Sequence, residues 1–432
     1  MEDGGWKMKD LKRILEHFEA ITKIPHCSQK AGKLREYLAA FGRKRGYEVL
    51  EDAAGNLLMR RGKPRLCLQG HYDMVCVGRA PRIGLVEEGG WLRALDSSLG
   101  ADNGIAVAMM MVLMEEGAEL EFLLTADEEV GLVGAKALAF ELVSPNLLNL
   151  DFEEEGIVCI GCAGGVDLVA RKAAATVRDD RPAWRVSLSG LPGGHSGVDI
   201  DKGIPNAVKE LAQALAEMEG IALAAFRGGE RRNSIPTRAE AVIHAARRPS
   251  LPEPFRVESA GEVGEALRES EALLRFLATA PHGVVSRNEE LKIPEESLNL
   301  AKVGFGAERL QIDYSMRAMS DEGLETLAEQ IETLLKRYGF DVRREEAYPA
   351  WKPEINPFAR RVADVMEENF GRSEFQAIHA GLECGILSEK YPKIRMASIG
   401  PTIENPHSVR EQVDLDSVAR TFRVLRQIVA SA

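Results

Sequence analysis

The sequence predicts an α/β fold in which a mixed sheet is sandwiched by helices and carries an inserted α+β domain. Short apolar runs that end in small or polar residues, RLCLQG (65–70), LEFLLTA (120–126) and LLNLD (147–151), alternate with amphipathic helical patterns. Further along, strands and helices alternate in an order typical of an antiparallel sheet with helices on one face. A chain of 432 residues also exceeds what one hydrophobic core usually organises, so two domains are expected.

The inserted domain is predicted to start near Trp184, where RDDRP interrupts the strand and helix pattern. It includes a long helix predicted over 258–278. The proline-bearing stretch YPAWKPEINP (348–357) predicts a return to the first domain, which a final amphipathic helix from Leu415 completes. The predicted division is a discontinuous first domain of residues 1–183 and 352–432, with residues 184–351 as the inserted domain.

Bulk composition excludes some partners. A formal net charge of −12 repels polyanions, which argues against nucleic acid and anionic membrane surfaces. The longest apolar run, AVAMMMVLM (106–114), is shorter than the roughly 18 to 20 residues that a bilayer crossing requires. The first twenty residues lack the basic, apolar and small-residue pattern of an export signal, so a cytoplasmic location is expected.

The six cysteines are too sparse for a disulfide scaffold and are expected to remain thiols in a reducing compartment. The Cys159-x-x-Cys162 pair has two interpretations, a redox or zinc half-site and a structural strand that runs into a glycine turn. No second CxxC motif follows, and GIVCIGCAGG has the pattern of an apolar strand. The structural interpretation is therefore favoured.

Acidic and histidine residues occur at the predicted strand ends or in adjacent turns. Singly, each motif is ordinary, because a lone histidine after a strand is more often a hydrogen-bonded loop residue and an acidic pair is usually solvated. Convergence at one edge of a sheet, however, would produce a mutually repelling cluster that requires cations. The motifs are GHYDM (70–74), GADNG (100–104), TADEEVG (125–131), NLDFEEEG (149–156) and NPHS (405–408).

Two imidazoles and three carboxylates suit a pair of divalent ions, zinc first, with manganese or cobalt also compatible. Three carboxylates and a bridging hydroxide would bring two divalent ions close to neutrality. A carboxylate between the ions could bridge them at roughly 3.5 to 4 Å, and Asp102, flanked by Gly100 and Gly104, is the candidate bridge. The predicted metal ligands are His71, Asp102, Glu129, Asp151 and His407.

The adjacent acids Glu128 and Glu129 can divide two roles, because neighbouring side chains in a turn point in different directions. Glu129 then binds metal, while Glu128 takes a proton from the attacking water and returns it to the leaving amine. Asp73 is predicted to orient His71. A G-x-S-x-G nucleophile motif is absent from the sequence.

With these motifs, the sequence resembles the zinc exopeptidase and amidohydrolase superfamily, and within it the aminoacyl-histidine dipeptidase branch. GHYDM, LGADNGI and DEEVG resemble the superfamily's metal motifs, while GCAGGVD and HAGLECG are similar to the branch's own. IPHCS, GGHSG, RNSIP and NPHS also resemble branch motifs, so the match covers nearly the whole chain. The resemblance implies that residues 1–183 and 352–432 form a catalytic, metal-binding domain and that residues 184–351 form a lid or dimerisation domain. The sequence departs from the family pattern in two ways: the lid is compact, and Tyr72 stands where an aliphatic residue is common.

The resemblance implies site roles beyond those that follow from the residues themselves. His71 and Asp151 would bind opposite metals, with Asp102 as the bridge. His195 in the lid would polarise the scissile carbonyl, often across a dimer, although the residues alone suggest a glycine turn. The implied substrate-binding residues are His195, Asn233 and Arg317 with Gly381 for the peptide and its carboxyl end, and Glu383 for its α-amino group.

The predicted function is metal-dependent hydrolysis of dipeptides, of Xaa-His type or broader, by a metallo-exopeptidase that is expected to be a homodimer through its lid. One alternative is a related amide hydrolase, either an N-acyl-amino-acid deacylase or a tripeptidase. An alternative from another class is a catalytically silent binding or scaffold paralogue. The complete set of ligands and base argues against the silent paralogue.

Overall fold

The computed structural model describes residues 3–431, which form two compact units. The first unit contains the chain up to Cys162, together with Trp351–Ala377 and the chain from Leu382 onward. The second unit contains Ala163–Ala350 and the short segment Ile378–Gly381. The α/β fold class with a mixed sheet, expected from the sequence, is confirmed.

The first unit is built on an eight-stranded sheet. Its central strands Leu66–His71, Glu121–Thr125 and Asn146–Asn149 are parallel to one another and fully or almost fully buried, which explains their continuous apolar sequence. In spatial order the strands are Glu48–Glu51, Leu57–Arg60, Glu121–Thr125, Leu66–His71, Asn146–Asn149, Arg395–Ser398, Ile157–Cys162 and Glu374–Ile378. A smaller sheet contains Ile403–Glu404, Gln412–Asp414, Trp91–Ala94 and Leu85–Glu88.

Helix Ala101–Glu115 lies in the core of this unit, where its residues from Gly104 to Met114 are all buried. A helix that is apolar on every side is stable only when other elements surround it. Amphipathic helices lie further out and bury one face each. Gly32–Lys44 packs on the strands Glu48–Glu51 and Leu57–Arg60, and Leu415–Ala430 packs mainly on other helices. The remaining helices of this unit are Asp3–Thr22, Val133–Ala137, Pro357–Phe370 and Glu383–Lys390, with a 3₁₀ turn at Glu128–Val130.

The second unit is a nine-stranded antiparallel sheet with three helices, Ala207–Ala216, Ser270–Thr279 and Asp321–Arg337. In spatial order the strands are Arg256–Ser259, Ala183–Leu188, Ala239–His244, Ala222–Gly228, Ile293–Phe305, Arg309–Ala318, Gly164–Ala173 and Asp341–Tyr348, with Gly283–Asn288 paired to Ile293–Phe305. Two short ladders join Thr176–Arg178 to Glu265–Leu267 and Gly194–His195 to Ser234–Ile235.

The first division between the units falls after Cys162, whereas the sequence pattern placed it after residue 183. Strand Gly164–Ala173 explains the difference, because it pairs along its whole length with Arg309–Ala318 inside the second unit's sheet. The second division, at Ala350 and Trp351, lies within one residue of the predicted position. Relative to the sequence interpretation, the second unit therefore gains strand Gly164–Ala173, which begins at the glycines where the sequence predicted a turn.

The predicted helix over 258–278 is wrong in its first half. Residues Arg256–Ser259 form an edge strand beside Ala183–Leu188, and Glu265–Leu267 form a second short strand. Gly261, with φ +76°, turns the chain between them, and the helix begins only at Ser270. Pairing with a distant strand outweighs the local helical pattern here.

The expectation that all six cysteines remain thiols is also wrong. Cys27 and Cys76 form a disulfide, with their Cα atoms 5.5 Å apart. The other four cysteines are buried thiols. Cys159 and Cys162 both lie in strand Ile157–Cys162, in agreement with their structural interpretation. Within residues 3–431, no helix has the length and apolar character needed to cross a bilayer.

Candidate metal centre and active site

Three central strands deliver acidic and imidazole groups to one edge of the first unit's sheet. His71 is the last residue of its strand, and Asp151 follows Asn146–Asn149 by two residues. Glu128 and Glu129 stand in the 3₁₀ turn shortly after Glu121–Thr125. Because these strands are parallel, their carboxyl ends meet at the same edge. The structure therefore gathers side chains from residues that are far apart in the sequence.

Asp102 lies between the two histidines. Its Oδ1 is 3.1 Å from Nε2 of His71, and its Oδ2 is 3.0 Å from Nε2 of His407. The backbone at Asp102 is not helical although helix Ala101–Glu115 includes it, and Gly100 before it has φ +74°. A carboxylate with one oxygen facing each of two imidazoles has the geometry of a bridging ligand.

The remaining acids divide between the same two histidines. Asp151 Oδ1 is 3.3 Å from His71 Nε2, and Glu129 Oε2 is 2.8 Å from His407 Nε2. Three groups of the described residues could each hold an ion, and two of them share Asp102: His71 with Asp102 and Asp151, and His407 with Asp102 and Glu129. The third is His71 with Glu128 and Glu129. Glu129 Oε1 is buried without a hydrogen-bond partner among residues 3–431, as a ligand atom would be. These donors fit two divalent cations of the zinc class.

The close approach of acidic and imidazole groups changes the pKa values of the side chains at this centre. Burial alone would lower the pKa of His407, but hydrogen bonds to Asp102 and Glu129 raise it to about 11. Burial would likewise lower the pKa of His71, which Asp151 and Asp102 hold well above its usual value. Burial and the charge of Asp102 raise the pKa of Glu129 to about 7. In the protein without metal, protons therefore balance part of the negative charge.

Glu128 and Asp73 lie beside the His71 side of the centre. Glu128 Oε2 is 4.0 Å from His71 Nε2, and burial together with the charges of Glu129 and Asp151 raises the pKa of Glu128 well above its usual value. Asp73 Oδ1 accepts a 3.0 Å hydrogen bond from the backbone N–H of Glu128 and lies 3.6 Å from Nδ1 of His71. Asp73 therefore contacts both the candidate ligand His71 and the backbone of Glu128, the candidate base.

Glu411 holds the loop that presents Asp102, and the sequence analysis did not identify it. This buried carboxylate accepts hydrogen bonds from the backbone N–H groups of four consecutive residues, Leu99 through Asp102, at 2.7 to 3.3 Å. It stands four residues after His407, so one short segment carries a candidate ligand and fixes the loop of another. Its position after NPHS was the only signal in the sequence.

A second missed element is the segment His26–Gln29. His26 and Ser28 exchange backbone hydrogen bonds with Met74, at 3.2 and 3.1 Å, just beyond the His71 loop. The N–H of Gln29 donates to Asp127 Oδ1 at 2.5 Å, just before Glu128. The disulfide from Cys27 to Cys76 adds a covalent link at the same place. The segment His26–Gln29 therefore holds two loops that carry site residues.

Glu383 is fully buried in the first unit at the start of helix Glu383–Lys390. Its Oε2 accepts hydrogen bonds from Thr125 Oγ1 at 2.6 Å and Gln69 Nε2 at 2.5 Å. Burial raises its pKa to about 7. Tyr72, which departs from the family pattern, donates to the backbone carbonyl of Gly55 at 2.9 Å.

The other predicted substrate residues belong to the second unit. His195 Nδ1 accepts hydrogen bonds from the backbone N–H groups of Gly197 and Val198, at 3.3 and 3.1 Å. Asn233 lies just before strand Ser234–Ile235, which pairs with Gly194–His195. Its backbone carbonyl accepts a hydrogen bond from the N–H of Ser196 at 2.9 Å. Arg317 lies at the end of strand Arg309–Ala318 and donates to the hydroxyl of Tyr348, whose ring packs against Gly381. The structure thus brings Arg317 and Gly381 together through Tyr348.

A mixed α/β sheet that presents two histidines and three carboxylates around a shared aspartate is typical of a two-metal hydrolase. Comparison with known proteins narrows this class. Residues 67–431 match the model of peptidase family M20/M25/M40. The chain is 32% identical to the cytosol non-specific dipeptidase of Escherichia coli, over 95% of this chain and 96% of the relative.

Solved structures agree with the sequence comparison. The aminoacylhistidine dipeptidase of Vibrio alginolyticus superposes with a TM-score of 0.79 at 29% identity, over 97% of this chain and 96% of that chain. Human carnosine dipeptidase 1 has the same fold, with a TM-score of 0.56 at 13% identity over 99% and 100% of the two chains. The chain therefore belongs to peptidase family M20/M25/M40. The predicted metallo-exopeptidase class is confirmed.

Substituting Glu411→Gln tests the support of the Asp102 loop. In the unsubstituted chain, the backbone N–H donors of the loop face the Glu411 carboxylate. A carboxamide would turn an NH₂ group toward some of these donors, so the loop would lose part of its hydrogen bonding. We expect zinc affinity to fall about 10–100-fold, as for other groups that orient ligands. Competition with a chromophoric chelator measures this, with the exposed Glu389→Gln as the matched control. Equal affinities for both variants would contradict the role of Glu411.

Metal uptake is expected to release protons and to strengthen as pH rises. His407 has a pKa of about 11 without metal, so its imidazole is protonated at neutral pH and must lose that proton to bind a cation. Lower pH favours the proton over the metal, so affinity rises about tenfold per pH unit for each displaced proton. Titration calorimetry between pH 6 and pH 8, in two buffers of different ionisation enthalpy, measures this.

The matched variant for this experiment is His407→Ala. Removing the imidazole should lower the number of released protons by about one and flatten the pH dependence. Metal binding by the unsubstituted chain that neither releases protons nor depends on pH would contradict the assignment of His407 as a ligand.

Proposed function

We propose that this chain hydrolyses dipeptides with a free amino group and a free carboxyl end, of Xaa-His type or broader. The observation that carries the proposal is the pair of ligand groups that share Asp102 in a chain of the M20/M25/M40 family. The names of the Escherichia coli and Vibrio alginolyticus relatives support a dipeptide substrate. The word non-specific in the first name supports a broad side-chain preference over one for histidine alone.

Two divalent ions, zinc first and otherwise manganese or cobalt, are proposed to bind at the shared centre. His71 and Asp151 would hold one ion, Glu129 and His407 the other, and Asp102 would bridge them, in keeping with the placement of its two oxygens. When bound, the pair supplies Lewis-acid chemistry that polarises the scissile carbonyl and acidifies the attacking water. Asp73 keeps the imidazole of His71 oriented through contacts at Nδ1.

Glu128 is the proposed general base and acid. Its raised pKa, caused first by burial, lets the carboxylate take a proton from water and return it to the leaving amine near neutral pH. The hydrogen bond from the Glu128 N–H to Asp73 fixes the backbone from which this side chain extends. The charges of Glu129 and Asp151 add to the proton affinity of Glu128.

Four of the proposed substrate contacts belong to the second unit, namely His195, Asn233, Arg317 and Gly381. Nδ1 of His195 accepts two backbone N–H groups, so the neutral ring carries its proton on Nε2, the form that can donate to a carbonyl oxygen. Arg317 suits a carboxylate because its planar fork can bind both oxygens, with Asn233 and Gly381 beside the peptide. Glu383 is proposed to pair with the α-amino group, and its Oε1 has no hydrogen-bond partner among the described residues.

We propose that the chain forms a homodimer through the second unit and that it is located in the cytoplasm. The location draws support from the name of the Escherichia coli relative. The acidic net charge disfavours nucleic acid and anionic membranes as partners.

The experiment that tests the function is a substrate panel on zinc-loaded protein. It contains an unsubstituted dipeptide, a β-alanyl-histidine dipeptide, a tripeptide and an N-acetyl amino acid. The proposal expects the highest kcat/KM for dipeptides. A preference for the tripeptide or the acylated substrate would favour the tripeptidase or the deacylase instead, and no hydrolysis at all would favour a silent paralogue.

Glu128→Ala is expected to retain metal and lose turnover. Removing the carboxylate leaves the ligands in place but deletes proton transfer, so kcat should fall about 10²–10⁴-fold while the metal content per chain is unchanged. Steady-state kinetics and elemental analysis of the same sample measure the two quantities. Glu154→Ala, an exposed acid on another loop, is the matched control. Full activity of Glu128→Ala would remove Glu128 from the mechanism.

A further inference from the structure

Arg317 is a buried arginine that forms no ion pair with an acidic side chain among residues 3–431. Only 7% of its surface is exposed, and its Nε has no hydrogen-bond partner among residues 3–431. A buried guanidinium is costly unless an anion or several acceptors compensate it. A guanidinium without such compensation points to an anionic ligand, and a carboxylate matches the fork of an arginine best.

Tyr348 fixes the other side of the guanidinium. Its hydroxyl oxygen accepts a hydrogen bond from Nη1 of Arg317. Tyr348 is the last residue of strand Asp341–Tyr348, which pairs with Gly164–Ala173 on the side opposite to the strand of Arg317. The hydrogen bond therefore spans the intervening strand and ties two elements of the same sheet.

Two glycines hold the Tyr348 ring in this orientation. A Cβ atom at Gly165 would lie 2.4 Å from the Tyr348 hydroxyl oxygen, and one at Gly381 would lie 2.7 Å from a ring carbon. Any side chain at either position would displace the ring. Gly165 belongs to the GCAGG motif and Gly381 to the HAGLECG motif. Both motifs thus have a physical role as the walls of the Tyr348 slot.

The backbone closes in on the Nε side of Arg317. A Cβ atom at Gly197 would lie 2.8 Å from Arg317 Nε and 2.4 Å from the carbonyl oxygen of His379. The imidazole of His379 is hydrogen-bonded through Nε2 to Ser297 Oγ at 2.7 Å. Burial and the charge of Arg317 lower its pKa to about 3, so His379 stays neutral and adds no second charge. Arg317 is therefore confined between the Gly197 backbone and Tyr348.

We propose that Tyr348 is a positioning residue that holds Arg317 so that its guanidinium receives the C-terminal carboxylate of the substrate. This inference rests on the proposed function, because it assigns a role in recognising a dipeptide. Tyr348 acts through Arg317 and not on the reacting atoms. Its loss should therefore weaken binding of the free carboxylate and leave the chemical step largely intact.

The test compares alanyl-alanine with its C-terminal amide, using zinc-loaded protein. Tyr348→Phe removes only the hydroxyl, and we expect KM for the dipeptide to rise about tenfold with kcat changed less than about twofold. Hydrolysis of the amide, which lacks the carboxylate, should change less than about twofold. Tyr338→Phe, on the same unit and packed against Phe276, is the matched control and should behave like the unsubstituted chain.

A second arm repeats Tyr348→Phe in an Arg317→Lys background. Because Tyr348 acts only through the arginine fork, the added change should then alter KM less than about twofold. Three results would each overturn the inference. Tyr348→Phe could weaken hydrolysis of the dipeptide and the amide equally, it could raise KM as much in the Arg317→Lys background as in the unsubstituted chain, or it could leave KM for the dipeptide unchanged. Unsubstituted chain that hydrolyses no dipeptide would instead overturn the proposed function, so the two failures are distinguishable. Melting temperatures of all variants confirm that they fold.

Discussion

The candidate site depends on a concentration of negative charge that bound protons balance in part and that divalent cations would balance more fully. Asp102, Glu129 and Asp151 lie within hydrogen-bond or near hydrogen-bond distance of two imidazoles, with Glu128 beside them. Parallel strands and a buried helix bring these groups together on rigid backbone, and Glu411 secures the loop that contains Asp102. The pKa of His407, raised to about 11, shows how strongly the acids attract positive charge.

Local sequence patterns predicted the features that depend mainly on residues close together in the chain, such as the buried strands and their ends. Buried parallel strands have continuous apolar sequence, and their ends are marked by the polar residues that follow, so His71, Glu129 and Asp151 could be placed at one edge. The α/β class followed from the same alternation. Asp102 was chosen as the candidate bridging ligand because of its glycine neighbours, and the structure puts its oxygens between the two histidines.

Contacts between distant segments could not be predicted in this way. In the sequence, nothing distinguishes Glu411 from an ordinary surface acid. In the structure, its carboxylate accepts hydrogen bonds from the backbone N–H groups of Leu99–Asp102. Cys27 and Cys76 are 49 residues apart and meet only because two loops converge. The residues before Ser270 have a helical pattern, yet pairing of Arg256–Ser259 with Ala183–Leu188 overrides it. Each is a tertiary interaction without a local signal.

Crystallographic anomalous scattering at the zinc edge tests the central claim most directly, because it locates each ion relative to named side chains. The account predicts two peaks, roughly 3.5 to 4 Å apart, on either side of the Asp102 carboxylate. One peak should lie within bonding distance of His71 and Asp151, and the other within bonding distance of Glu129 and His407. Density for a single ion, or for ions away from these side chains in zinc-saturated crystals, would contradict it.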